Sequence, residues 1–207
     1  MYHSIINIIT IFFILINGRP LVKGVDSLPN EQVIFAATHR SATDPFYLAI
    51  VLRGREIAFM AKESLFKFKP LGWLLKACNV FPVNREKPST RVIKHAVKEL
   101  KEGGKDLGIF PTGSRYSTVV KGGTAFIQKL SQKDIIPVSI QPPKDFWEFI
   151  SRKKAKIIFG QPIPYQAECK YKKADLENID AQISQAFDEL DHELDPNYKY
   201  VPQKTKS

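Results

Sequence analysis

Six short apolar segments recur along the chain, each with the length of a β-strand. They lie at residues 33–37, 57–61, 80–83, 107–110, 135–140 and 156–159. Near-continuous apolar runs of this length are typical of strands that are buried on both faces of a sheet. Stretches with helical spacing separate them, and this alternation favours parallel pairing. The sequence therefore predicts an α/β fold, a single domain with a central, mostly parallel sheet flanked by helices.

Two of the intervening stretches carry clear helix signals. Residues 89–102 begin at a Ser89-Thr90 cap and end at Gly103-Gly104. The apolar face of this helix consists of Val92, Ile93, Ala96, Val97 and Leu100. His95 falls on the opposite, charged face, so we expect it to be exposed. A final helix is predicted over residues 175–194, with Pro196 beyond its end.

The composition is that of a folded domain with a basic surface. The chain has 207 residues, 43% hydrophobic and 25% charged, which is enough to bury a full core. Its 31 Lys and Arg against 21 Asp and Glu give a formal charge of +10. This excess favours anionic partners: nucleic acid, anionic lipid, a phosphorylated substrate or an acidic protein. Cys78 and Cys169 are isolated, so neither a zinc site nor a disulfide framework is expected.

The N-terminus is unusually apolar. Residues 5–16 are nearly all Ile, Phe and Leu, but this run of 12 is shorter than the roughly 20 residues that span a bilayer. We therefore predict a helix that associates with one membrane leaflet, with a buried core segment as the alternative. A secretory signal is disfavoured because no positive charge precedes the run. The predicted organisation is an anchor over 1–18, a catalytic or binding domain over 19–196 and a polar, basic tail over 197–207 that frays.

The stretch "THRSATDPF" at residues 38–46 follows the first predicted strand. Ligands of parallel sheets gather at the carboxyl ends of strands, where His39 would lie. If the turn folds back, Asp44 can accept the Nδ1–H of His39 and leave Nε2 to take a proton from a hydroxyl. No dedicated nucleophile accompanies the pair, which favours direct attack by a substrate hydroxyl. The alternative is that Asp44 only caps the helix predicted to start at Pro45.

Basic residues follow three other predicted strands. The stretch "GIFPTGSRYS" at residues 108–117 places Gly113, Ser114 and Arg115 in a turn that can offer N–H groups and a guanidinium to an anion. Arg85 follows a strand in "FPVNRE", and Lys62 follows another in "MAKESLFKFKPLGWLL". Each cation taken alone is more typical of a solvated surface. Together with His39, they predict a site for an anionic substrate.

The order of these motifs resembles that of the bacterial 1-acylglycerol-3-phosphate (lysophosphatidic acid) acyltransferases. The matching elements are the HX4D motif "HRSATD", then "AKESLFKFKPLGWLLK", "FPVNRE", "FPTGSR" and "IIPVSIQ". The resemblance extends from about residue 28 to residue 164 and implies a glycerol-3-phosphate acyltransferase-like fold. It implies that His39 is the general base and Asp44 its orienting partner. Lys62, Arg85, Gly113, Ser114 and Arg115 match the positions that bind the acceptor phosphate.

The implied reaction transfers an acyl chain from a thioester, acyl-ACP or acyl-CoA, to the sn-2 hydroxyl of lysophosphatidic acid, giving phosphatidic acid. The resemblance implies no metal and no bound cofactor. It implies a membrane surface with anionic lipid as partner, with acyl carrier protein as a further partner, at the cytoplasmic face of the cell membrane. Thr112 departs from the family, which usually has Glu there, and this leaves the acceptor open.

Two alternatives remain from the sequence. One is an acyltransferase for a different acceptor, glycerol 3-phosphate or another lysophospholipid. The other is a non-catalytic lipid-binding protein on the same scaffold. A nucleic-acid partner is not expected, because the sequence has no recognised reader motif and begins with an apolar segment.

Overall fold

A computed structural model describes residues 1–84 and 89–202 of the chain. The helices are α1 Tyr2–Asn17, α2 Asp44–Val51, α3 Lys69–Ala77, α4 Thr90–Lys101, α5 Gly123–Ser131, α6 Phe146–Ile150 and α7 Lys173–Leu194. The strands are β1 Leu21–Lys23, β2 Ile34–Ala37, β3 Ile57–Lys62, β4 Val80–Val83, β5 Asp106–Ile109, β6 Ile135–Gln141 and β7 Lys156–Phe159. Short 3₁₀ helices lie at Val25–Ser27 and Glu63–Phe66.

The seven strands form one sheet in the order β1-β7-β6-β2-β5-β3-β4. Every pairing is parallel except that of β6 with β7. All six predicted strands are present, and the predicted α/β fold with a mostly parallel sheet is confirmed. The strand β1, whose Leu21 pairs with Lys156 of β7, was not predicted. Three residues without an alternating or continuous apolar pattern give no strand signal.

Two apolar layers cover the sheet, one on each face. The first includes Phe35, Tyr47, Leu48, Ile136 and Ile157, with Tyr2 and Ile6 of α1 packed among them. The second joins α4, α5 and α7 to the opposite face through Ile34, Ala96, Leu107, Ile127 and Ile183. Because β2 contributes alternate side chains to both layers, every residue of this strand is buried. The loop that follows β2 therefore starts from a fixed position in the middle of the sheet.

The α4 helix agrees with its prediction. The Ser89 hydroxyl caps it by accepting from the Arg91 backbone N–H at 3.1 Å. Ala96 and Leu100 are buried, as the apolar spacing requires. His95 is exposed on the outer face and meets only the Phe81 ring and Glu99 among the contacts of the described residues.

The first helix is buried on one side and exposed on the other. Its inner side, Tyr2, Ile6, Thr10 and Asn17, is buried against the domain, whereas Ile8, Ile11, Phe12 and Leu15 are exposed. Asn17 fastens the end of the helix, since its Nδ2 donates to the carbonyls of Phe149 and Lys153 at 2.8 and 3.0 Å. Its Oδ1 accepts from the Tyr47 hydroxyl at 2.7 Å. Among the residues that the structure describes, no helix is both long and apolar enough to span a bilayer.

The described part of the C-terminal tail packs against the domain, in contrast to the expected fraying. The rings of Tyr198 and Tyr200 lie 4.9 and 5.5 Å from the Arg40 guanidinium. The Tyr200 hydroxyl also donates to the backbone carbonyl of Arg115. Aromatic faces attract a guanidinium, and this contact supplies the packing that polarity alone did not predict.

Candidate active site

His39 and Asp44 meet at the carboxyl end of β2. The Nδ1 atom of His39 lies 3.1 Å from Asp44 Oδ2, which also accepts from the backbone N–H groups of Arg40 at 2.6 Å and Ser41 at 2.7 Å. Thr43 occupies the N-cap position of α2, and Asp44 is the first helical residue. The carboxylate thus binds groups that precede the helix, so it is not a simple cap. The turn folds back, so the contact that the motif spacing allows is present.

The pair is shielded from water on the carboxylate side. Asp44 is fully buried and the His39 side chain is 10% exposed. The imidazole stacks on Phe110 with ring centroids 4.3 Å apart. With Nδ1–H donating to Asp44, the lone pair of Nε2 is available to accept a proton from a hydroxyl. The other carboxylate oxygen, Oδ1, has no hydrogen-bond partner among the residues described.

A second charged pair holds the same loop from the other side. Arg40 forms a bidentate ion pair with Asp191 of α7. Its Nη1 donates to Oδ1 at 2.7 Å and its Nη2 donates to Oδ2. Arg40 Nη1 also donates to the Ile140 carbonyl at 2.9 Å, and Asp191 accepts from Ser139 at 2.6 Å. The two charged side chains are only 8% and 19% exposed. The residue next to the candidate base is therefore fixed to α7 and β6.

A cavity of about 420 Å³ opens beside His39. Arg40 and Thr112 form one side of it, and Asp188, Asp191 and Asp195 lie along the α7 side. Tyr198 and Tyr200 of the tail complete the lining. Asp191 pairs with Arg40 and Asp195 pairs with Lys156 at 3.0 Å, and Asp188 adds a further negative charge on the α7 side, which is unfavourable for a phosphate.

The turn after β5 is closed by short-range hydrogen bonds. Gly113 adopts a φ of 68°, which favours glycine, and its N–H donates to the Phe110 carbonyl at 2.9 Å. The Thr112 hydroxyl donates to the Ser114 carbonyl at 2.9 Å, and the Ser114 hydroxyl accepts from the Tyr116 N–H at the same distance. Thr112 is buried. The turn therefore forms without the carboxylate that the family usually has at this position.

The predicted cations do not all gather in one place. Arg115 lines a second cavity of about 350 Å³ together with Arg40 and Ser41. Lys62 ends β3 and is exposed, but it lines neither cavity. Arg85 lies outside the described residues. The structure thus brings Arg115 close to the His39 loop and leaves Lys62 at the carboxyl edge of a strand farther along the sheet.

Sequence reasoning missed Asp191 and the two tail tyrosines. Burial raises the pKa of Tyr198 to about 12 and also raises the pKa of Tyr200, so both rings are neutral at ordinary pH. The position of Arg40 inside the HX4D motif does indicate that it is close to the site. Nothing in the sequence distinguishes Asp191 from the other acidic residues of its helix, which lies far along the chain.

Comparison with known proteins places the chain in a family. The model of the Acyltransferase family matches residues 19–141. The chain is 37% identical to the 1-acyl-sn-glycerol-3-phosphate acyltransferase of Streptococcus pneumoniae over 86% of this chain and 68% of that protein. It is 32% identical to the enzyme of the same name from Bacillus subtilis, over 94% and 99%.

The fold is also similar to a solved structure. The crystal structure of the 1-acyl-sn-glycerophosphate acyltransferase of Thermotoga maritima superimposes with a TM-score of 0.72 at 20% identity, covering 95% of this chain and 80% of that one. At 20% identity this likeness shows only a shared fold. Membership of a family is shown by the family model and by the two bacterial relatives. The chain therefore belongs to the family of 1-acyl-sn-glycerol-3-phosphate acyltransferases, as its ordered motifs predicted.

Proposed function

We propose that the protein transfers an acyl chain from a thioester to the sn-2 hydroxyl of 1-acylglycerol 3-phosphate, giving phosphatidic acid for phospholipid synthesis. The observation that carries this proposal is the His39–Asp44 pair, in which a buried carboxylate fixes the imidazole beside an open cavity. The names of the relatives from Streptococcus pneumoniae and Bacillus subtilis support the acceptor.

In the proposed reaction His39 acts as a general base. Its Nε2 removes the proton of the sn-2 hydroxyl while the hydroxyl oxygen attacks the thioester carbonyl carbon. The tetrahedral intermediate then expels the thiolate, which takes the proton from the imidazolium to leave as a free thiol. Asp44 keeps Nδ1 protonated and stabilises the positive ring during this exchange. The acyl group moves directly between substrates, without a covalent enzyme intermediate.

We propose acyl-ACP or acyl-CoA as the donor and no bound cofactor. Either donor presents the same thioester, and the chemistry above requires only a base and its orienting carboxylate. Acyl carrier protein would be an acidic partner for a chain with a formal charge of +10.

The acceptor phosphate is assigned to the side of the site that bears Arg115, with Gly113 and Ser114 in the adjacent turn. This assignment is supported by the second cavity, which Arg115 lines, and by the carboxylates on the α7 side of the first cavity. Lys62 and Arg85 remain proposed contributors from the family resemblance. Lys62 is not among the residues that line the two cavities, and Arg85 lies outside the described residues.

We also propose that the protein works at the cytoplasmic face of the cell membrane without crossing it. The exposed side of α1 carries Ile8, Ile11, Phe12 and Leu15. An apolar surface of this kind suits the interfacial region of a bilayer, where acceptor and product reside. Phe13 of α1 packs on Phe46 at the start of α2, with ring centroids 5.5 Å apart. The proposed membrane surface therefore adjoins the helix that begins at Asp44.

A single assay tests the proposed activity. The purified protein is incubated with lysophosphatidic acid, glycerol 3-phosphate and other lysophospholipids, each with a panel of acyl-CoA and acyl-ACP donors, and products are identified by mass spectrometry. Phosphatidic acid formed from lysophosphatidic acid supports the proposal, and His39→Ala should abolish it. A product only from another acceptor would reassign the substrate, which Thr112 in place of glutamate makes worth testing. Absence of any acylated product would refute the proposal.

A further inference from the structure

The second cavity has an unusual charge. It is lined by residues from the loop after β2, the turn after β5, the segment between β6 and α6, and the C-terminal tail. Four of these residues are cations: Arg40, Arg115, Lys144 and Lys199. None of the residues lining it is Asp or Glu, although the first cavity next to it contains three aspartates. The potential inside the second cavity is therefore positive.

Neighbouring carboxylates do not neutralise this cavity. Asp191 is directed at Arg40, which leaves Arg115, Lys144 and Lys199 as the remaining positive charges of the lining. Glu148 accepts from the backbone N–H of Lys144 and also interacts with its charge, but the carboxylate is shared with Lys153, with which it forms an ion pair at 2.7 Å. A cavity lined by several cations and by no acid is suited to an anion supplied from outside.

The position of the cavity relates it to the catalytic pair. The two cavities are adjacent, because Arg40, Tyr198 and Tyr200 line both of them. These shared side chains separate an anion in the second cavity from the cavity beside His39. In lysophosphatidic acid the phosphate is attached to the carbon next to the one that bears the sn-2 hydroxyl. A substrate can therefore place its phosphate in one cavity and its hydroxyl in the other.

We propose that Lys144 and Lys199, together with Arg115, form the binding site for the phosphate monoester group of a substrate. This inference rests on the proposed function and adds two residues outside all the motifs that identify the family. It makes the tail a substrate-binding element, because Lys199 lies between the tyrosines that pack on Arg40. Arg115 supplies a planar fork of donors and the lysines supply compact charges, which together surround a tetrahedral anion.

The test uses Lys144→Ala, Lys199→Ala and the double variant, with Lys94→Ala as the matched control. Lys94 is an exposed lysine on α4 and lines neither cavity. Each single substitution should raise the KM for the phosphate-bearing substrate about threefold to tenfold, and the double variant should raise it about tenfold to a hundredfold. The kcat should change by less than about twofold, because the lysines bind without touching the reacting atoms. Lys94→Ala should match the wild type.

Two further comparisons identify whose phosphate is bound. A 1-acylglycerol without phosphate replaces lysophosphatidic acid in the first, and an acyl-pantetheine thioester without phosphate replaces acyl-CoA in the second. If the acceptor phosphate occupies the cavity, the effect of the double substitution on kcat/KM disappears with the first replacement and persists with the second. The reverse pattern assigns the cavity to the phosphate of the donor. Either pattern supports the phosphate site.

A binding measurement separates failure of this inference from failure of the proposed function. Titration of the wild type with inorganic phosphate, followed by calorimetry, should show binding that weakens with added salt and is lost in the double variant. This result would hold even if no acyl transfer were found. Unchanged KM values in both lysine variants, or equal phosphate binding by wild type and double variant, would overturn the inference.

Discussion

At the residue scale, one oxygen atom of Asp44 accepts hydrogen bonds from three groups: the His39 ring and two backbone N–H groups. We predict that His39→Ala lowers kcat by about 10²- to 10⁴-fold, the usual contribution of a positioned general base. The fold should remain intact, because Asp44 keeps its two backbone N–H donors when the ring is removed. Initial rates of phosphatidic acid formation and a melting curve measure both effects.

The control is His95→Ala, which removes an exposed histidine from α4. Its rate should remain near that of the wild type, and a comparable loss there would argue against a specific role for His39. Asp44→Asn should also be severe, because an amide does not enforce the His39 tautomer. If Asp44→Asn instead prevents folding, the carboxylate serves mainly to hold the turn.

A second residue-scale prediction concerns Asp191. Asp191→Ala leaves the Arg40 guanidinium almost fully buried without its carboxylate, and loss of one partner of a buried pair costs about 3–5 kcal/mol. Denaturant unfolding should show a decrease of this size in the free energy of unfolding. Glu177→Ala is the comparison, since its pair with Lys173 is highly exposed and should contribute less than about 1 kcal/mol. Equal effects of the two substitutions would show that water screens the Arg40 pair.

At the scale of elements, α6 packs beside α1, and both helices carry exposed apolar residues. Phe149 of α6 packs on Phe13 of α1 with ring centroids 5.5 Å apart, and Asn17 joins the two helices by hydrogen bonds. Phe146, Trp147 and Ile150 of α6 are exposed, and Lys153 and Lys154 follow the helix. Exposed aromatic residues flanked by cations fit the interface of an anionic membrane. The membrane surface proposed for α1 would then extend onto α6.

This extension predicts a fluorescence change at Trp147. The chain has two tryptophans, so Trp73→Phe leaves Trp147 as the sole reporter, and its ring is 73% exposed. Vesicles that contain anionic lipid should shift its emission to the blue and protect it from aqueous quenchers, because the ring leaves water. Vesicles of zwitterionic lipid alone should produce a smaller shift.

The double variant Trp73→Phe/Trp147→Phe gives the background for this measurement. Flotation of the same samples shows whether the protein is on the vesicles at all. A protein that floats while the Trp147 emission stays unchanged would exclude α6 from the membrane contact. Protein that does not float would instead contradict the membrane role proposed for α1.

At the scale of the whole molecule, buried tyrosines from both ends of the chain link stability to alkaline pH. Burial raises the pKa of Tyr2 and of Tyr198 to about 12, and it raises the pKa of Tyr47 as well. A raised pKa means that the folded state holds the proton more tightly than the unfolded state. The contribution of these tyrosines to the free energy of unfolding is therefore complete below pH 10, the ordinary tyrosine pKa. This contribution is lost as the pH rises towards 12.

Denaturant unfolding between pH 8 and pH 12 measures this loss. Tyr198→Phe should flatten part of the alkaline decrease in the free energy of unfolding, because phenylalanine has no proton to lose. Tyr116→Phe is the control, since that side chain is exposed and should leave the slope unchanged. A slope that none of the buried tyrosines affects would mean that other groups govern alkaline unfolding.

Local contacts could be predicted from the sequence, and distant ones could not. The strands follow from apolar runs, and the His39–Asp44 contact joins residues only five positions apart. The contact of Arg40 with Asp191 depends on how α7 docks, which no pattern in α7 encodes. The tail looked unstructured because it is polar, yet its tyrosines pack on a guanidinium supplied by another part of the chain. The exposed position of Lys62 likewise depends on the order of strands in the sheet.

The ion pair of Arg40 with Asp191 makes the His39 loop depend on a segment that is synthesised late. The two residues lie 151 positions apart, and the ribosome makes α1 and the His39 loop well before Asp191. If α1 binds lipid as proposed, a growing chain can reach the membrane while Arg40 still lacks the carboxylate that fixes its loop. Synthesis from the N-terminus would then separate two steps. The helix α1 would attach to the membrane first, and the His39 loop would reach its catalytic conformation only after α7 has left the ribosome.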